Sequence, residues 1–192
     1  MKNILIINGH PDVESYNYAL ANAYSTGAKT SSASVNQINI AQLSFNPNLA
    51  HGYRQRTELE PDLQDAIEKI KKADHLVWVF PMWWYSVPAI MKGFIDRTFL
   101  PGITYQPIAG KPFPKKLLKG KTARLIITAD SPKWYNTLYM KNPVLNQFKK
   151  GTLQFCGVGK VKVTHIAIIK NSTEVFRKNW LSKIETLGKQ LK

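Results

Sequence analysis

The sequence holds one cysteine, Cys156, few acidic residues, and no long apolar run. Each shortage excludes something. One cysteine builds neither an intrachain disulfide framework nor a thiolate metal cluster. It is compatible with a reducing compartment, and within an apolar helix end it reads as core rather than nucleophile. No stretch approaches the ~20 apolar residues of a membrane-spanning helix. The opening Met1, Lys2, Asn3, Ile4 leads directly into a strand-like run, too short and without the cleavage site of a signal peptide. A cytoplasmic protein with no membrane span is expected. Four histidines, His10, His51, His75 and His165, are too scattered for a metal site, so none is expected. No Gly-x-Gly-x-x-Gly and no Walker loop is present.

The chain has 192 residues, 44% of them hydrophobic. That is about one domain, with enough apolar surface for a substantial core. Acidic residues are short by 15 charges against Lys and Arg, and the excess is one-sided. Residues 1–96 hold 8 basic and 9 acidic side chains; residues 97–192 hold 19 and 3. Such a half attracts anions. No nucleic-acid recognition motif accompanies the charge, so nucleic acid is not an expected partner. Lys111, Lys115, Lys116, Lys119 and Lys121 cluster in one Pro/Gly-rich loop at 100–120. They either flank an active-site mouth and steer an anionic cofactor or form a solvated face.

Short apolar runs alternate with helical stripes. Residues 4–7, 35–40, 76–80, 125–127 and 161–169 read as strands, the first and third apolar throughout, as strands buried on both faces are. Helices are predicted over 16–28, capped by Ser15; over 60–73, with Pro61 in the first turn; from 87, with apolar residues at 87, 90, 91, 94 and 95; over 143–156; and over 173–191. Five β-α repeats with right-handed crossovers give an α/β fold, a doubly wound five-stranded parallel sheet. The chain is expected to be a single domain, 1–192. Ligands of such sheets bind beyond the C-terminal ends of the strands, so the loops after strands one, three and four carry the information.

The first loop enters a helix N-terminus, which favours an anion through free amides and the dipole. His10, Ser15 and Asn17 add side-chain donors, although Ser15 also serves as a plain helix cap. The second loop carries Pro81, Met82, Trp83, Trp84 and Tyr85. Successive side chains diverge, so three consecutive aromatics are hard to bury together, and a flat ligand would give them a surface to cover. The third loop, Thr128, Ala129, Asp130 and Ser131, is small and polar, as close backbone approach requires. Asp130 reads either as an acceptor for a ligand N–H or as an ordinary turn residue. Phosphate, flat ring and small-polar loops on one sheet edge point to a flavin.

The run from Phe80 to Arg97, with Pro81, Met82, Trp83, Trp84, Tyr85, Ser86, Val87 and Pro88, resembles the signature of the flavodoxin-like NAD(P)H:quinone oxidoreductases. That family includes modulator-of-drug-activity proteins and potassium-efflux ancillary reductases. Gly9, His10 and Pro11 with Ser15, Tyr16 and Asn17 resemble its phosphate loop, and Phe155, Cys156 and Gly157 a helix end. The resemblance implies a flavodoxin-like fold, bound FAD or FMN, NAD(P)H as electron donor, and a homodimer with active sites at the interface. It assigns His10, Ser15, Tyr16 and Asn17 to the flavin's phosphate chain, Pro81, Met82, Trp83, Trp84 and Tyr85 to its ring, and Thr128, Ala129, Asp130 and Ser131 to its pyrimidine side. Tyr135 takes the catalytic role of managing charge on the reduced ring; a histidine usual in that role has no counterpart between His75 and His165. The implied activity is two-electron reduction of a quinone or similar electrophile by ping-pong hydride transfer. The alternative is an ancillary, regulatory flavoprotein subunit of a potassium-efflux system.

Overall fold

The computed structural model describes residues 1–191. Strand β1 (Lys2–Asn8) is followed by α1 (Tyr16–Lys29), β2 (Ala33–Asn39), α2 (Pro61–Lys72), β3 (His75–Pro81) and α3 (Ala89–Thr98). A two-residue ribbon, β4 (Tyr105–Gln106) against β5 (Lys115–Lys116), precedes β6 (Thr122–Ala129). Two helical segments with π winding follow, centred on Tyr135–Tyr139 and Leu145–Gln154, then β7 (Val161–Ala167) and α4 (Glu174–Lys189). The expected strands and helices are all present. The ribbon and the short helix after Pro132 are additions that the sequence pattern does not announce.

The main sheet runs β2-β1-β3-β6-β7 and every neighbouring pair is parallel. This is the flavodoxin-like order, in which the chain first builds outward from β1 and then reverses to the other side. The α/β doubly wound expectation is therefore met. Leu5, Ile7, Leu76, Trp78, Phe80, Leu125 and Ile127 face α2, α3 and the 145–154 helix. Ile4, Ile6, Val77, Val79, Ile126 and Ile166 face α1 and α4. Burial on both faces is why β1 and β3 read as continuous apolar runs. Trp78 anchors the first layer, edge-on to Phe94 and Phe148. Arg97, also buried there, is paired with Glu60 at 2.8 Å and donates to the carbonyls of Asn46 and Glu58, fastening the 43–60 loop to α3.

All five strands enter the sheet from one edge, which decides where the lysine loop lies. Lys121 directly precedes β6, and its Nζ donates to the carbonyls of Lys71 and Ala73, at the end of α2. Lys116 Nζ donates to the Gln154 carbonyl, at the end of the helix that leads into β7. These lysines sit at the N-terminal edge of the sheet and satisfy helix-end carbonyls. The placement beside a ligand mouth is thus corrected: the three loops lie at the opposite edge.

Candidate functional site

The three loops are tied to one another. Gly9 N donates to Val79 O at 2.8 Å and Met82 N to Thr128 O at 2.8 Å. Thr128 Oγ1 donates to Asn17 Oδ1 at 3.0 Å across the sheet edge. Between them lies an open cleft of about 200 Å³. His10, Ser15, Tyr16, Asn17, Pro81, Met82, Trp83, Thr128, Ala129 and Asp130 all line it. So does Ile169, which follows β7. Sequence reasoning misses it by treating only three loops, although the strand-five loop opens on the same edge.

The floor of the cleft is rich in unspent donors. Ser15 caps α1, its Oγ accepting from Tyr18 N at 3.3 Å. The amides of Tyr16 and Asn17 make no hydrogen bond within the described residues. Asn17 is 4% exposed, yet its Nδ2 is buried without a partner among those residues. A buried amide left unpaired costs about 1–3 kcal/mol, which a bound acceptor would recover. Two free amides at a helix start plus an orphaned carboxamide form an anion cradle. His10 Nδ1 accepts from Asp12 N at 3.0 Å, and its ring meets Trp83 edge-on at 5.4 Å. Burial lowers its pKa, although Asp12 opposes this. Tyr16 gives the cleft no hydroxyl: its Oη donates to Arg177 O at 2.8 Å.

The second loop makes a tight turn in which Trp83 N donates to Ser86 O and Ser86 N to Trp83 O. Its central residues, Trp84 and Tyr85, have φ of 49° and 61°. Both therefore stand in the left-handed region, where a bulky non-glycine residue is strained. Their amides make no hydrogen bond within the described residues. Trp84 is 96% exposed. It and Tyr85 do not line the cleft. Instead Tyr85 lies 6.5 Å from Tyr135, which stacks on Tyr139 at 5.0 Å. Trp134, Leu138 and Tyr139 are exposed beside them, forming an aromatic rim. Burial, and then the Tyr85 and Tyr139 hydroxyls, raise the pKa of Tyr135.

In the third loop Asp130 Oδ1 accepts from Lys170 N at 2.7 Å, so this oxygen serves the strand-five loop. Ser131 also lies outside the cleft lining; its Oγ donates to Asn136 Oδ1 at 3.1 Å. Asn136 Nδ2 lies 3.5 Å from His165 Nε2, bringing a histidine behind the loop from β7, where sequence proximity alone does not reveal it. Among the described residues no group of three or more His, Cys, Asp or Glu is placed to hold a metal ion. No helix among them is long and apolar enough to cross a membrane.

Known proteins share this architecture. An uncharacterized NAD(P)H oxidoreductase of Haemophilus influenzae is 30% identical, over 83% of this chain and 81% of that one. The ribosyldihydronicotinamide dehydrogenase (quinone) of Pongo abelii is 28% identical over 98% of this chain and 93% of its own. The crystal structure of Smu.1420 from Streptococcus mutans UA159 superposes with a TM-score of 0.84, at 26% identity, over 98% and 99% of the two chains. Residues 2–187 match the family defined by the flavodoxin-like fold, and with the strand order and the matching relatives the chain belongs to that family.

Proposed function

We propose that this protein is a flavin-dependent NAD(P)H oxidoreductase that reduces quinones or similar flat electrophiles. The observation that carries the reading is the donor-rich cradle at the start of α1, with Trp83 of the aromatic turn lining the same cleft at the switch point of the sheet. The residues fit a flavin. The Tyr16 and Asn17 amides, Asn17 Nδ2, the Ser15 hydroxyl and His10 would hold its phosphate portion. Trp83 and Met82 supply apolar wall, and the free amides of Trp84 and Tyr85 supply donors for a polar ring edge. When bound, a flavin supplies hydride acceptance from a nicotinamide and two-electron delivery to an acceptor.

The protein's own part is positioning and electrostatics. The strained turn holds the Trp84 and Tyr85 amides fixed, so donors aimed at developing negative charge need not reorganise. Tyr135, protonated and held beside Tyr85, adds a further donor at the rim. FAD is the preferred flavin by resemblance to the family. The exposed cluster of Trp84, Trp134, Leu138 and Tyr139 is the surface that a homodimer would cover. A cytoplasmic location and action as one flavin-binding domain complete the reading.

Purified protein, supplemented with FAD or FMN if colourless, should show a flavin spectrum that NADH or NADPH bleaches anaerobically. A quinone should then restore it. Chromatography of the heat-released flavin separates FAD from FMN, and sedimentation gives the oligomeric state. A colourless protein that binds neither flavin overturns the proposal.

A further inference from the structure

The face of the sheet under α1 and α4 carries polar residues near its N-terminal edge that the flavin cradle does not use. In register, Ile4 of β1, His75 of β3 and Thr122 of β6 are neighbours. Arg124 of β6 then lies beside Lys162 of β7. Lys2, His75, Thr122, Arg124, Lys162 and Thr164 all point to this face, because residues two apart share a side of a strand.

His75 records the potential there. It is 3% exposed, its Nδ1 lies 2.7 Å from Thr122 Oγ1, and its Nε2 is buried without a partner among the described residues. The charges acting on it are all positive: Lys2 from β1, Arg124 from β6 and Lys162 from β7. The adjacent Asp74 commits its Oδ2 to the Asn3 amide. Burial first, and these cations second, hold the imidazole pKa at about 4.

A groove of about 520 Å³ lies between β7 and α4 and shares Arg124 and Thr164 with this face. Arg124, 6% exposed, lies at its inner end and donates Nη1 to Thr164 Oγ1 at 2.6 Å. On the α4 side stand Lys183, Thr186 and Ser182. Trp180 adds an aromatic wall, with Lys183 Nζ 4.8 Å from its ring centre. None of the described lining residues is acidic. The Ser182 and Thr186 hydroxyls donate to the carbonyls of Lys178 and Ser182, so it is one guanidinium and one ammonium on an open groove without an acidic residue that match a phosphate group in charge. Along β6 the groove lies four residues from Thr128, so it is separate from the flavin cradle.

We propose that the β7–α4 groove binds a phosphate-bearing small molecule, with Arg124 and Lys183 as its charged ligands. The phosphate is either free or carried by a nucleotide whose base lies on the Trp180 wall. This site does not depend on the flavin reading.

The test is histidine imidazole NMR on the flavin-loaded full chain, titrated with inorganic phosphate and with ADP against chloride at matched ionic strength. With flavin in the α1 cradle, His75 is the reporter because it feels the charge of Arg124, which lines the groove. Phosphate should shift the His75 signals saturably and raise its titration midpoint by roughly half to one unit, since a nearby anion favours the charged imidazole. Lys183→Gln, on the exposed face of α4, should weaken phosphate about tenfold, the loss of one charge-assisted hydrogen bond. Lys162→Gln/Lys183→Gln should weaken it further while leaving the flavin spectrum unchanged. ADP binding more tightly than phosphate assigns a nucleotide; equal affinity assigns the free anion. A His75 signal that moves only as it does in chloride, or equal phosphate affinity in wild type and Lys183→Gln, overturns the proposal. If the protein takes up no flavin, the same titration is run on the chain as purified, so the two readings fail separately.

Discussion

At the scale of single residues, Asn17 and His75 carry the sharpest consequences, and both follow from buried nitrogen atoms without partners among the described residues. Asn17 faces the cradle with its Nδ2 while its Oδ1 takes the Thr128 hydroxyl. Asn17→Asp keeps the shape and replaces a donor by a negative charge. Flavin binding should weaken by at least about tenfold, the scale of one charge-assisted hydrogen bond, while Thr128 still finds an acceptor and the fold persists. Fluorescence titration with FAD and a thermal melt measure the two effects. His75 governs acid stability. Its folded value of about 4 lies below the ordinary 6.5. Between these values the unfolded chain binds the extra proton, so stability rises with pH. The contribution is complete above pH 6.5 and is lost as pH falls towards 4. A shift of this size corresponds to about 3 kcal/mol. His10 and His165, also lowered mainly by burial, act with the same sign. Urea unfolding across this window should show the loss, and His75→Gln should flatten it.

At the scale of elements, the α1–α4 crossing depends on two glycines. A Cβ on Gly188 would strike the Tyr24 carbonyl oxygen, and one on Gly27 the Glu185 carbonyl oxygen. The helices touch backbone to backbone, so neither clash yields by rotating a side chain. Gly188→Ala gains about 1 kcal/mol in helix propensity. Overpacking costs about 1–3 kcal/mol or more, and here the obstacle is main chain. A net loss of about 2 kcal/mol is expected, read as a lower urea midpoint at unchanged m-value. The elements themselves are largely legible in the sequence. Ile4 to Ile7 and Leu76 to Phe80 are unbroken apolar runs because helices cover both faces. Ser15 and Pro61 mark helix starts through capping chemistry. The β4–β5 ribbon is not legible: two residues a side among Pro, Gly and Lys show no alternation. The conformation of the second loop is hidden too. Left-handed turns are normally announced by Gly or Asn, whereas Trp84 and Tyr85 are held there by the Trp83–Ser86 pair. The cleft's chemistry can be read from residue types on three loops, but the sequence does not show that Asp130 and Tyr16 spend polar atoms on Lys170 and Arg177.

At the scale of the whole molecule, the sheet's polarity settles what composition leaves open. The excess of 15 positive charges is uneven along the chain, and a linear sequence cannot say which end of the sheet a loop occupies. The parallel topology can, because the 100–120 loop feeds the N-terminal end of β6 while ligands meet the C-terminal ends. Lys121 spans from that loop to the end of α2, and Lys116 reaches the end of the 145–154 helix. Their charge faces the cleft only through the body of the protein and solvent. Sheet strands of seven residues are about 23 Å long, more than twice the ~10 Å screening length at 0.1 M salt. Replacing Lys111, Lys115, Lys116, Lys119 and Lys121 together by Gln should therefore leave kcat/KM for NAD(P)H unchanged at about 0.1 M salt, and alter it less than about twofold at low salt. Lys121→Gln alone should cost stability, about 1 kcal/mol for the two helix-end carbonyls left to water. A steep fall of kcat/KM in the fivefold variant, largest at low salt and fading as salt is added, would return these lysines to the cleft mouth and contradict the topology argument.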